Sequence, residues 1–134
     1  MQLALLSILA LAAPFFLWFP ERVLGVPYIL EEAAKAFLVS FFPANFPFKK
    51  KVVLAVCLGV LFSLSEQVLY IFNLGSFGQD LFLERLVVVG LMHSLTFTVI
   101  TISGHKERKV GLILGFILAA LIHFFFNRGI NLAL

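Results

Sequence analysis

The stretch VVLAVCLGVLFSLSEQVLYIFNL, residues 52–74, decides how the rest of the chain is read. It carries a single charged side chain, Glu66. As an α-helix rising about 1.5 Å per residue it covers about 35 Å, enough to cross a hydrocarbon layer about 30 Å thick. A carboxylate within such a run is costly if it faces lipid, so it belongs in a bundle interior or a wet cavity. Working outward, four further apolar runs follow the same pattern. Residues 3–19 are unbroken and close at Pro20, Glu21 and Arg22, while residues 27–42 open on Pro27, stop at the loop 43–47 and carry Glu31, Glu32 and Lys35. Residues 81–103 carry His93 and residues 110–127 carry His123. Five spans of roughly 20 residues use up nearly all of the 134 residues, which predicts one membrane-embedded domain over 1–134.

Composition agrees. Hydrophobic residues make up 62% and charged residues 13% of the chain, and the mean hydropathy is +1.09. That leaves too little polar surface for a soluble globule. The net charge of +3 comes from basic residues concentrated in two short loops, Lys49-Lys50-Lys51 and Lys106, Arg108, Lys109. Such a pattern is a topology signal and not a nucleic-acid one. The lysine run sets orientation and touches anionic lipid. The first run has no basic leader, so it reads as a retained helix and not a signal peptide. Cys57, the single cysteine, sits in an apolar run and reads as a packed thiol. The expected architecture is an all-α polytopic bundle of about five transmembrane helices, with a cytoplasmic amino terminus.

With that topology the buried polar residues share a depth. Counted from the cytoplasmic ends, Glu66 lies at about 21 Å, His123 at about 20 Å, and His93 and the Glu31/Glu32 pair at about 15–17 Å. Convergence on one layer points to a site, since helix association alone requires fewer ionisable groups. Glu31 and Lys35, four apart, form a salt bridge on one face of their helix, and Glu32 points about 100° away. A desolvated, unpaired Glu32 is then the candidate general base for a water molecule. His123 and Asn127 are also four apart, and their side chains are suited to donate hydrogen bonds to a developing oxyanion. A second possibility stays open: Glu66, His93 and His123 make a two-histidine, one-carboxylate set for zinc. The metal-free version is preferred, with both left open, since the sequence offers no thiolate or supporting ligand pattern to settle the choice.

The pattern Glu-Glu-x-x-Lys at 31–35, Phe-x-x-x-Glu at 62–66, mid-helix His93 and His-x-x-x-Asn at 123–127 resembles the PrsW family of intramembrane proteases. That family belongs with the CAAX prenyl endopeptidases and bacteriocin-immunity proteases. The flanks are similar too: Glu84-Arg85 precede His93, Thr96 and Thr98 follow it, and Gly104 closes the segment. The likeness covers four of the five helices in order. It implies an intramembrane endopeptidase acting on a membrane-anchored peptide or protein in a prokaryotic cell membrane. Glu31 and Glu32 would be the glutamate pair, Lys35 the cation paired with it, Glu66 the third carboxylate, and His93, His123 and Asn127 the remaining site positions. The chain lacks the extra helices and extramembrane segments of many members, so an oligomer or partner subunit would help to complete the site. The gamma-secretase scaffold subunit Aph-1 resembles the same superfamily, which keeps a non-catalytic scaffold in view. A proton or ion pathway ranks lowest, because the polar residues form one layer and not a string along the membrane normal. The seventeen phenylalanines read as packing or lipid-facing groups.

The topology expects Lys50 to react with a membrane-impermeant label from the cytoplasmic side and Gln79 from the outside. Labelling of position 50 from outside would overturn the depth reckoning along with the orientation.

Overall fold

A computed structural model describes residues 1–74, 79–105 and 107–133, with side chains at all of these except 73–74, 79–81 and 130–133. Residues 75–78 and Lys106, which entered the topology expectation, and the side chain of Gln79 lie outside the described residues. Among the described residues there are five helices: α1 (Gln2–Leu24), α2 (Pro27–Ser40), α3 (Phe48–Leu74), α4 (Gln79–Ser103) and α5 (Arg108–Ala133). All but α2 are long and apolar enough to cross a membrane. The 14 residues of α2 cover only about 21 Å, short of a full hydrocarbon layer. The helices close into a ring in which α2 lies between α1 and α5, and α3 lies between α1 and α4. Contacts between α2 and α4 cross its centre. Outward faces carry Ile8, Phe16, Phe72, Leu91, Leu121 and Phe125, all exposed. An apolar surface of that extent fits lipid and not water.

Close packing rests on small residues. A methyl at Gly59 of α3 would lie 2.5 Å from the Ser94 backbone of α4, and one at Gly111 of α5 would overlap the Ser103 carbonyl. Gly115 extends the same seam between α4 and α5. Without a hydrophobic drive between helices in lipid, contact at this range is what holds them together. Hydroxyls supplement it: Ser94 Oγ donates to the Val56 carbonyl at 3.2 Å, and Ser65 Oγ donates to the Leu11 carbonyl. Pro14 of α1 removes the ladder bond to the Ala10 carbonyl, one residue before the Leu11 carbonyl that Ser65 reaches.

One expected boundary is corrected. The first helix does not end before Pro20 but runs through it to Leu24, where Gly25 adopts a left-handed conformation (φ 67°) and its N–H donates to the Glu21 carbonyl. Proline's fixed φ is compatible with a helix, and only one ladder bond is lost, so glycine supplies the stop. Cys57 faces outward and is not packed in the core.

The basic loops meet at one end of the bundle. Gln2 Nε2 donates to the Phe41 carbonyl at 2.7 Å, Arg108 donates to the Ser40 carbonyl, and the Phe48 and His105 rings lie 4.5 Å apart. Each helix therefore runs opposite to its chain neighbours, and Lys49, Lys50, Lys51, Arg108 and Lys109 share that end.

Alanine at Gly59 or Gly111 should lower thermal stability in detergent, despite a gain of about 1 kcal/mol in helix propensity. Gly129→Ala, where an added methyl meets nothing within 4 Å, should keep that gain. A rise in melting temperature for all three would deny the close approach.

Candidate functional site

The side chains singled out in the sequence converge where α2 faces α3, α4 and α5. Lys35, Glu32 and His93 are each wholly inaccessible. Lys35 Nζ donates to Glu32 Oε1 at 2.5 Å, His93 Nδ1 at 2.6 Å and Thr96 Oγ1 at 3.1 Å. An ammonium has three N–H groups and no lone pair, so its donors are all used and the Nδ1 of His93 must accept. That fixes the tautomer: Nε2 of His93 carries the hydrogen and donates to Glu66 Oε2 at 2.6 Å. Phe62 and Phe97 wall the ammonium, with ring centres 5.1 and 5.9 Å away.

This corrects the pairing read from spacing. Lys35 bridges to Glu32, three residues back, and not to Glu31, four back. Both are within reach on a helix. What decides between them is α4, whose His93 and Thr96 draw the ammonium to the side of α2 on which Glu32 lies. Glu32 is engaged a second time, accepting from His123 Nδ1 at 2.8 Å. In the neutral ring, Nε2 of His123 is then a proton acceptor; protonated, it is a donor.

Glu32 Oε2, unlike its Oε1, is buried without a hydrogen-bond partner, and Glu31 is the carboxylate of the pair that lines a cavity. Its Oε2 is buried without a hydrogen-bond partner, 3.9 Å from both His93 Nε2 and His123 Nδ1. It lines a cavity of about 330 Å³ together with Glu66, His123 and Asn127, joined by Glu21 and Arg85. The cavity also touches Pro27, the first residue of α2, and thus lies toward the end of the bundle away from the basic loops. Its volume holds several waters, and its polar wall supplies the partners they need.

Glu21 and Arg85 were missed as site residues. Arg85 reaches Glu66 at 3.7 Å, lies over the Tyr70 ring at 4.0 Å, and keeps a buried Nε without a hydrogen-bond partner. Its position eight residues before His93, two turns along one face, carried a usable signal. Glu21 carried none, because it enters the cavity only when α1 continues past Pro20.

The zinc set expected from sequence is not the one brought together. Glu31, Glu66 and His93 offer oxygens and a nitrogen within 4.8 Å of one another, and His123 is directed to Glu32 instead. Nor does the donor chemistry suit a metal. A metal-binding histidine normally gives its second N–H to an acceptor, whereas the second nitrogen of His93 faces an ammonium. With Nδ1 accepting from Lys35, a metal on Nε2 would require an imidazolate. The arrangement is a hydrogen-bonded acid–base cluster facing a cavity. Comparison with protein families, characterised proteins and solved structures returns no match to this chain.

Lys35→Met should destabilise the protein by about 3–5 kcal/mol, because it strands Glu32 in a dry site. The double variant Lys35→Met, Glu32→Leu should recover part of that loss, and Lys50→Met should be neutral. Equal denaturation midpoints for Lys35→Met and Lys50→Met in detergent would refute the buried pair.

Proposed function

We propose that the protein is an intramembrane endopeptidase that hydrolyses peptide bonds of membrane-anchored substrates by a metal-free, glutamate-activated water. One observation carries the reading: Glu31, which unlike Glu32 lines a polar cavity with room for several waters, keeps one carboxylate oxygen without a hydrogen-bond partner, 3.9 Å from each of two imidazoles. Such an oxygen is a base in want of a proton donor, and a water in the cavity is the donor at hand. The general base is thus Glu31, and Glu32 is the group that orients His123. The resemblance of residues 31–35, 62–66, 93 and 123–127 to the PrsW family supports the same reading.

The steps follow from these residues. Glu31 takes one proton from water as the oxygen attacks the scissile carbonyl carbon. Asn127 donates to the resulting oxyanion, joined by Nε2 of His123 when that ring carries a proton on both nitrogens. The proton held by Glu31 passes to the leaving nitrogen as the C–N bond breaks, giving a carboxyl and an amine. Glu66, held by His93 and Arg85, keeps the far wall of the cavity polar. In the orientation expected from the loop charges, the basic end faces the cytoplasm and substrate enters from the outer half of the bilayer. A scaffold reading draws on the same network, because Lys35 ties α2 to α4 whether or not turnover occurs.

Purified wild-type protein should cleave a membrane-anchored substrate, and Glu31→Gln should abolish cleavage with an unchanged melting temperature. Glu32→Gln should lose both activity and stability. Asn127→Ala should retain activity reduced by about a hundred- to a thousand-fold, the usual effect of one lost oxyanion donor. Chelators should leave the rate unchanged. Cleavage by Glu31→Gln at the wild-type rate overturns the mechanism, and a wild type that binds a partner without cleaving anything leaves the scaffold.

A further inference from the structure

A second cavity, of about 210 Å³, lies at the basic end of the bundle and shares no described lining residue with the carboxylate cavity. Lys51 of α3, His105 after α4 and Arg108 of α5 line it, with Val39 of α2 and Phe42 just beyond that helix forming an apolar wall. No carboxylate is among its described lining residues. Glu107, exposed, is the described acid at this end, against Lys49, Lys50, Lys51, Arg108 and Lys109.

The helix dipoles do not decide the sign of the site. The starts of α3 and α5 and the ends of α2 and α4 all converge here, and their partial charges largely cancel. Side-chain charge decides it. Lys51 Nζ donates only a long bond, 3.5 Å, to the Ala44 carbonyl. The described bond of Arg108, to the Ser40 carbonyl, uses one of its five N–H groups. The remaining donors are free to hold a tetrahedral anion, and the cavity has room for a phosphate group with some of its water. It also lies at the end of hydrophobic helices, the depth at which lipid phosphates sit.

We infer that this cavity binds the phosphate group of an anionic phosphoester, held by Lys51 and Arg108 with His105 beside them. The source is a lipid headgroup or a soluble phosphate, and occupancy braces the end of α2, the helix that carries Glu31, Glu32 and Lys35.

The test uses the full chain in a neutral detergent and follows thermal unfolding. Inorganic phosphate, glycerol phosphate, short-chain phosphatidylglycerol and short-chain phosphatidylcholine are titrated separately. Saturable stabilisation by phosphatidylglycerol alone assigns the site to lipid. Stabilisation by glycerol phosphate or inorganic phosphate as well assigns it to the phosphate group from either source. Arg108→Gln and Lys51→Gln should each weaken the apparent affinity about fivefold or more. Lys50→Gln and Lys109→Gln make the same charge change outside the cavity and should leave it unchanged. If Arg108→Gln fails to fold for want of its bond to Ser40, Lys51→Gln carries the comparison. Equal weakening in all the variants, or stabilisation by no phosphoester, overturns the inference.

Discussion

A buried ammonium in a bundle with an apolar exterior sets the terms for everything around it. Lys35 has no water to turn to, so each of its three N–H groups needs an acceptor from the protein, and it finds them on two helices: Glu32 on its own, His93 and Thr96 on α4. The interaction is weak evidence for stability, because desolvating two charges consumes most of what their attraction returns. Its consequence is specificity. Only one rotation of α2 and one register against α4 satisfy all three donors, and that register also brings Glu32 to His123 and leaves Glu31 facing the cavity.

The cluster divides into a closed half and an open half. On the closed side Lys35, Glu32 Oε1, Thr96 and the Nδ1 atoms of both histidines are hydrogen-bonded, and Phe62 and Phe97 wall the ammonium. On the open side Glu31 Oε2 and Arg85 Nε are buried without partners in residues that line the cavity, and at the boundary Glu32 Oε2 is buried without one as well. Buried polar atoms in that condition are uncommon and call for a reason. A cavity that admits water or substrate supplies one. The closed half holds the geometry that the open half uses, which is how a short bundle keeps reactive groups positioned. Close helix contact makes this possible: with glycine at 59, 111 and 115, α3, α4 and α5 approach nearly backbone to backbone.

The all-helical bundle and the four long apolar helices were legible in the sequence, because length and hydropathy set which segments suit a hydrocarbon layer, whatever packs beside them. The convergence of Glu31, Glu32, Lys35, Glu66, His93 and His123 was legible for a related reason: depth along a straight helix is simple arithmetic from its ends. What lay beyond reach was direction around the helix axis and choice among neighbours. Spacing made Glu31 and Glu32 equivalent candidates for Lys35, and only the acceptors on α4 separate them. Spacing grouped both histidines with Glu66, whereas packing turned His123 toward Glu32 and put Lys35 against His93, which breaks up the donor set expected for zinc. Glu21 looked like punctuation after an apolar run and became a cavity wall once Gly25, and not Pro20, ended α1. The sequence by itself determined which groups are buried and at what depth, since solvent preference belongs to each segment alone. Which oxygen is bonded and which is open was decided by tertiary structure, because that depends on partners contributed by other helices.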